Sequence, residues 1–212
     1  MATISTLDEL TAHYPTPATR VRSKKRPSLD DGTRALVESS PFVLLATAGA
    51  DGTCDVSPRG GPPGFVKVLD ERHLAIPDLN GNHLIDSLRN IVDNGHAGLL
   101  VVLPGQDETL RIDGAAWLTT DDDVLDRFVE EVRRPPLAVV IRIHHVFTHC
   151  AKAFRRGGVW QPTTWRTYEH SPVLAARHRQ LIDDGLTDDP IEQYVATSCD
   201  KIEADLAMDR PT

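Results

Sequence analysis

The stretch SPRGGPPGFVKVLDERHLAIPDLNGNHLIDSLRNI, residues Ser57–Ile91, concentrates the side chains with the most chemical potential. It places Arg59 in a glycine-rich loop and Lys67 in an expected strand. The backbone of Ile76, Pro77 and Asp78 falls at a strand end, just before Gly81, Asn82 and His83 at an expected helix start. Fixed cations beside the free N–H groups of a helix start make a site for a terminal phosphate. The backbone of a strand edge can hydrogen-bond a flat heterocycle. The same residues also suit a purely structural connection, and Gly60, Gly61 and Gly64 on their own read as a tight inter-strand loop.

Other chemistries find less support. There is no GxGxxG after a strand, no GxxxxGK(S/T), no HExxH and no GxSxG. The nine histidines invite a metal hypothesis. His144 and His145 are adjacent in an expected strand and so point to opposite faces. His145 and His149 share a face but sit about 13 Å apart at ~3.3 Å per residue. No tetrahedral site follows, and no metal is expected. Cys54, Cys150 and Cys199 are widely spaced, form no CxxC pair and read as reduced thiols. The basic run RVRSKKR (Arg20–Arg26) reads as a solvated arm packing on an acidic partner subunit, with capture of an anionic ligand as the alternative.

The elements that must position these residues are mostly strands. A helix is expected over Asp30–Ser39, ending at Ser40-Pro41. Phe42–Gly49 and Thr53–Ser57 form a hairpin, and the loop Pro58–Gly64 can be neither helix nor central strand. A second hairpin turns at Glu71-Arg72. Gly81–Gly95 carries apolar residues at Leu84, Ile85, Leu88, Ile91 and Val92, which predicts a helix capped by Asn82 and stopped by Gly95. Ala97–Pro104 and Thr109–Thr120 make a third hairpin. A short helix over Asp121–Glu131 precedes a long strand, Pro136–Cys150, and Ile191–Ala207 is a final amphipathic helix. Six or seven strands in consecutive hairpins argue for an antiparallel, Greek-key-like barrel with one helix closing a side.

Composition narrows the class. The chain has 212 residues, 40% hydrophobic and only 5% aromatic, which fits one domain with or without an appendage. Lys plus Arg number 23 against 31 Asp plus Glu, a formal charge of −8 that lacks the footprint of a nucleic-acid binder. No stretch reaches the roughly 18–20 apolar residues of a membrane span, and residues 1–17 carry no basic-then-apolar leader. A soluble cytoplasmic protein is the expectation, with no nucleic-acid or membrane partner.

Four segments, SPRGGPPGFVKVLD, AIPDLNGNHLIDSLRNI, GLLVVLPGQDETLRIDGAA and FTHCAKAFRRGGVWQP, resemble in order and spacing the pyridoxamine 5′-phosphate oxidase-like FMN-binding split-barrel family, in particular a bacterial subgroup of FMN-dependent enzymes. The resemblance spans most of residues 30–165. It implies a mainly β, six-stranded antiparallel Greek-key split β-barrel with peripheral helices, a homodimer, and one FMN in each of two clefts between subunits. On that basis residues 1–29 form an N-terminal helical arm, 30–165 the FMN-binding domain and 166–212 a C-terminal helical extension.

Carried over residue by residue, Lys67 matches the strand lysine that contacts FMN. Ile76, Pro77 and Asp78 match the strand end whose backbone approaches the flavin, and Gly81, Asn82 and His83 match the segment near the phosphate. Arg59 matches a basic position in the preceding loop. Lys152, Arg155, Arg156 and Trp160 resemble the part contributed across the dimer interface. Relatives commonly continue GNN with arginine where this chain has Leu84, which removes a phosphate contact of about 1.5–3 kcal/mol.

The implied activity is FMN-dependent oxidation or reduction of a small molecule. The alternative is a non-catalytic carrier or sensor for flavin, deazaflavin or haem on the same fold. No residue is singled out as catalytic, although His83 and His149 are available as acid or base. The substrate-binding pattern for pyridoxamine phosphate itself is not evident.

Overall fold

The computed structural model describes residues 2–211. Its centre is one antiparallel sheet of seven strands: β1 (Phe42–Ala48), β2 (Cys54–Gly60), β3 (Lys67–Val68), β4 (His73–Pro77), β5 (His96–Val102), β6 (Thr109–Thr119) and β7 (Ala138–His149). Their order across the sheet is β2-β1-β5-β6-β7-β4-β3. The ladder is open from β2 to β3 and has seven members rather than six, the last only two residues long.

Hydrophobic alternation dictates the pairing. In β1 every second residue is buried, so Val43 and Leu45 face inward and join Val101, Leu110, Ile112 and Ile141 in the main core. The β1–β2 register continues to Phe42 opposite Gly60, so Pro58, Arg59 and Gly60 belong to a strand instead of a loop. β2 is an edge strand, where a residue without an N–H breaks no central ladder.

Helix α1 (Leu7–Thr11) and α2 (Thr19–Arg22) precede α3 (Asp31–Ser39). Asp30 caps α3 by accepting the Thr33 N–H at 2.8 Å, a bond that holds the Asp30 carboxyl below the ordinary carboxylate range. Helix α4 (Asp86–Asn94) is shorter than its apolar pattern predicts. His83 and Ile85 adopt left-handed φ of 58° and 54°, so the chain cannot be helical before Asp86. Asn82 is not the helix cap; its Oδ1 accepts the Leu84 N–H at 3.1 Å in a local turn. Leu88 and Ile91 enter the core, whereas Leu84, Ile85 and Val92 are exposed. Gly95 ends the helix as expected.

A second apolar cluster lies on the other side of β4 and β7. Helix α5 (Asp122–Leu125) and the 3₁₀ turn Asp126–Phe128 insert Leu125, Phe128 and Val132 against Ala75, Ala138 and Val140. This explains why β4 is buried on both faces from Leu74 to Pro77, and it fixes the position of residues 131–133.

Helix α6 (Lys152–Gly157), the 3₁₀ turn Pro162–Thr164, α7 (Pro172–Asp183) and α8 (Ile191–Met208) follow. Among the described residues no helix is long and apolar enough to cross a membrane.

The basic run lies against its own chain. Arg26 and Val146 exchange backbone hydrogen bonds of 3.0 and 2.8 Å, covering part of β7 beyond its pairing with β4. Lys24 donates to the Thr148 carbonyl at 3.2 Å, and the Lys24 and Lys25 ammonium groups sit 5.0 and 5.6 Å from the Phe147 ring centre.

Candidate functional site

A cavity of about 580 Å³ opens where β2 ends, between the Gly60–Phe65 loop, the residues after β4, the segment after the 3₁₀ turn at Phe128 and the residues after α8. That volume lies within the ~300–1,000 Å³ typical of small-molecule sites.

Alternation along β2 turns Asp55, Ser57 and Arg59 to one side of the strand. Arg59 donates from Nη1 to Asp78 Oδ1 at 3.2 Å, while its Nε is buried with no partner. Ser87, at the start of α4, donates to Asp55 Oδ2 at 2.5 Å and lies 2.9 Å from Ser57 Oγ. The single Ser87 proton goes to the carboxylate, so Ser57 must donate to Ser87. That leaves Ser57 presenting only lone pairs to the cavity.

Lys67 is ion-paired with Glu131, both side chains about four-fifths buried. Glu131 can approach because Gly64, at φ 92°, has no side chain: a Cβ there would meet Glu131 Oε1 at 2.9 Å. Asn80 completes the polar wall, and Arg133 stands behind it. Arg133 Nη2 donates to Asn80 Oδ1 at 3.4 Å, and both Arg133 Nε and Asn80 Nδ2 are buried without partners.

Of the residues singled out in the sequence, Arg59, Pro77, Gly81 and Asn82 line this cavity. Lys67 and Asp78 stand behind it through Glu131 and Arg59. Ile76 is buried in the core, and His83 is exposed. Gly81, Asn82 and His83 precede the helix rather than open it, so no row of free helix N–H groups lies there.

Lys152, Arg155, Arg156 and Trp160 are elsewhere in the chain. Arg155 Nε donates to Asp107 Oδ2 at 2.8 Å, which raises the guanidinium pKa above its ordinary value, and Trp160 Nε1 donates to the Gln106 carbonyl at 2.7 Å. These bonds fasten α6 and its successor to the β5–β6 turn. Beside α6, a second cavity of about 430 Å³ is lined by Leu44, Ala46, Val56, Leu100 and Phe154, with His149 and Cys150 among its other walls.

The sequence reading missed Ser57, Asn80, Glu131, Arg133 and Asp209. Asn80 adjoins the flagged GN pair, which is a usable signal. Glu131 and Arg133 sit in a charged turn after the 3₁₀ segment, with nothing local in the sequence to distinguish them from surface residues. Among the described residues no group of three or more His, Cys, Asp or Glu side chains is placed to hold a metal.

Several solved structures are similar in shape. The HupZ protein of Group A Streptococcus is 16% identical, covering 57% of this chain and 93% of its own, with a TM-score of 0.47. A candidate pyridoxamine 5′-phosphate oxidase from Lactobacillus delbrueckii is 25% identical over 58% and 98% of the two chains, TM-score 0.46. An FMN-binding protein from Syntrophomonas wolfei is 12% identical over 55% and 83%, TM-score 0.41. Comparison with curated proteins gives no match. Residues 29–150, from just before the α3 cap to the end of β7, match the family model described as Pyridoxamine 5′-phosphate oxidase, and the chain belongs to that family.

Proposed function

We propose that the protein is a cytoplasmic, homodimeric, FMN-dependent oxidoreductase of a small molecule, built on the family's split barrel. The observation that carries this reading is a pair of buried donors without partners, Arg59 Nε and Asn80 Nδ2, on two residues that line the 580 Å³ cavity. A buried donor left unmet costs about 1–3 kcal/mol, so the site favours an occupant rich in acceptor oxygens. FMN, with its phosphate and ring carbonyls, fits that donor set. Bound there, it would supply hydride-transfer chemistry.

The protein's own residues have narrower tasks. Arg59 uses one of its five N–H donors on Asp78, leaving others to hold a phosphate. Ser57, fixed as an acceptor by Ser87 and Asp55, orients a ligand N–H. Pro77, Gly81 and Asn82 form a wall without large side chains. Phe65 and Leu79 exclude water from the apolar side.

Lys67 acts by neutralising Glu131. Lys67→Ala would leave a bare carboxylate on the cavity wall facing an anion. FMN affinity is expected to fall at least about tenfold, about 1.4 kcal/mol, in a flavin-fluorescence titration. Unchanged affinity would remove Lys67 from the site.

The dimer reading draws on the outer face of the β2-β1-β5-β6 half-sheet, where Val56 is 62% exposed beside Leu44, Ala46 and Leu100. A second copy covering this face is the homodimer that the family resemblance implies, with the partner's Lys152–Trp160 segment completing the site. Val56→Glu is then expected to convert a dimer to a monomer by light scattering and to release bound flavin. A monomeric parent protein would refute the arrangement. The three cysteines are exposed and free, which suits a reducing compartment.

The deciding experiment is purification followed by absorption spectroscopy and mass spectrometry of any copurified molecule. The expected result is a yellow protein whose flavin band bleaches anaerobically with a reduced nicotinamide. Colourless protein that takes up no added FMN would rule the reading out. A bound chromophore that no donor reduces would instead assign the cavity to a carrier or sensor.

A further inference from the structure

We infer that Asn80, with Arg133 behind it, completes the phosphate site to which Arg59 belongs, and that the chain's own Asp209 occupies this part of the site in place of a phosphate monoester. The inference rests on the proposed ligand class and extends it to residues that the family resemblance does not assign.

Asp209 follows directly on α8, and its carboxylate is turned inward, only 13% exposed. Its Oδ1 accepts the Asn80 backbone N–H at 3.3 Å and lies 3.8 Å from Arg133 Nη2. The segment is held by one strong bond, from the Arg133 N–H to the Asp209 carbonyl at 2.8 Å. Asp209 and Arg210 thereby line the same cavity as Arg59.

The carboxylate is a poor match for what surrounds it. Asn80 contributes two donor atoms, its N and Nδ2, and Arg133 contributes Nε and Nη2. Asp209 engages two of them through one oxygen at long range, and two stay buried without partners. The Asn80 amide orientation is set by the Arg133 Nη2 bond to its Oδ1, so Nδ2 is the atom left over. A phosphate offers three terminal oxygens and up to two charges, and so can satisfy donors that a single carboxylate oxygen cannot. A tethered carboxylate at high local concentration competes with such a ligand until displaced.

The test uses the full chain with Asp209→Ala, and three probes: FMN, riboflavin and inorganic phosphate. Fluorescence titration reads the two flavins, and the phosphate-induced rise in melting temperature reads the third. Removing the competitor is expected to tighten FMN about tenfold and enlarge the phosphate shift, with riboflavin unchanged. Arg133→Gln should abolish the phosphate gain in the Asp209→Ala background.

Equal tightening of riboflavin would show that Asp209 only obstructs the cavity, and would overturn the subsite. So would weaker or unchanged FMN binding with an unchanged phosphate shift. If FMN binds neither protein but the phosphate shift still depends on Asp209 and Arg133, the subsite stands and the flavin reading falls. Should Asp209→Ala fail to fold, the isosteric Asp209→Asn removes the charge alone and is held to the same outcomes.

Discussion

Gly114→Ala is expected to destabilise the fold by about 3 kcal/mol or more, the upper end of what overpacking costs. A methyl group at this position would lie 1.9 Å from the Arg142 carbonyl oxygen, 2.8 Å from its carbon and 3.1 Å from the His144 nitrogen. All three are backbone atoms, so no side chain can swing away to make room. The site is the irregularity in the longest ladder, where Asp113 pairs with His145 and Gly114 with Ile143, and His144 is the extra residue. Relief would require β6 and β7 to part, and β7 also carries β4 and the cavity wall that follows Pro77. Urea denaturation would measure the effect as a large fall in midpoint. A variant as stable as the parent would mean that the bulge is not as drawn. The bulge also corrects the expectation of opposite faces for the two adjacent histidines, because both are exposed and His145 Nδ1 sits 2.9 Å from Asp113.

Arg59→Ala has the largest expected effect on ligand binding. The guanidinium is about four-fifths buried and holds Asp78, itself 23% exposed, at 3.2 Å. On the proposed reading, its loss removes a charge-assisted contact to the FMN phosphate and frees a mostly buried carboxylate that would repel one. At about 1.5–3 kcal/mol for such a contact, FMN affinity should fall roughly ten- to a hundredfold. The double variant Arg59→Ala with Asp78→Asn should recover part of that loss, because it removes the repulsion but not the missing donor. Riboflavin affinity should change much less than FMN affinity. A comparable loss for both flavins would place Arg59 at the ring rather than at the phosphate.

The hairpins, most strands and the family were legible because each rests on local order: apolar, β-branched runs in β1, β5 and β7, turn residues between strands, and motifs met in sequence. Arg59, Pro77, Gly81 and Asn82, which line the cavity, stand out in the sequence for the same reason. The start of α4 was misread because Leu84 and Ile85 sit at core-facing intervals, yet two left-handed residues turn them to the surface. Periodicity reports which residues would share a helix face; it does not report whether the helix has begun.

What the sequence by itself determined is an antiparallel sheet, a family and a short list of cations beside a glycine loop. Tertiary structure decided which carboxylate each cation meets. Glu131 is 64 positions from Lys67, and Asp209 is 129 from Asn80. Those partners come from the second apolar cluster and from the end of α8. Chain segments so distant in sequence are brought together only by burial of faces that no local pattern connects. The overall charge of −8 likewise concealed a cavity at which Arg59, Lys67 and Arg133 each meet a carboxylate, with buried donors to spare.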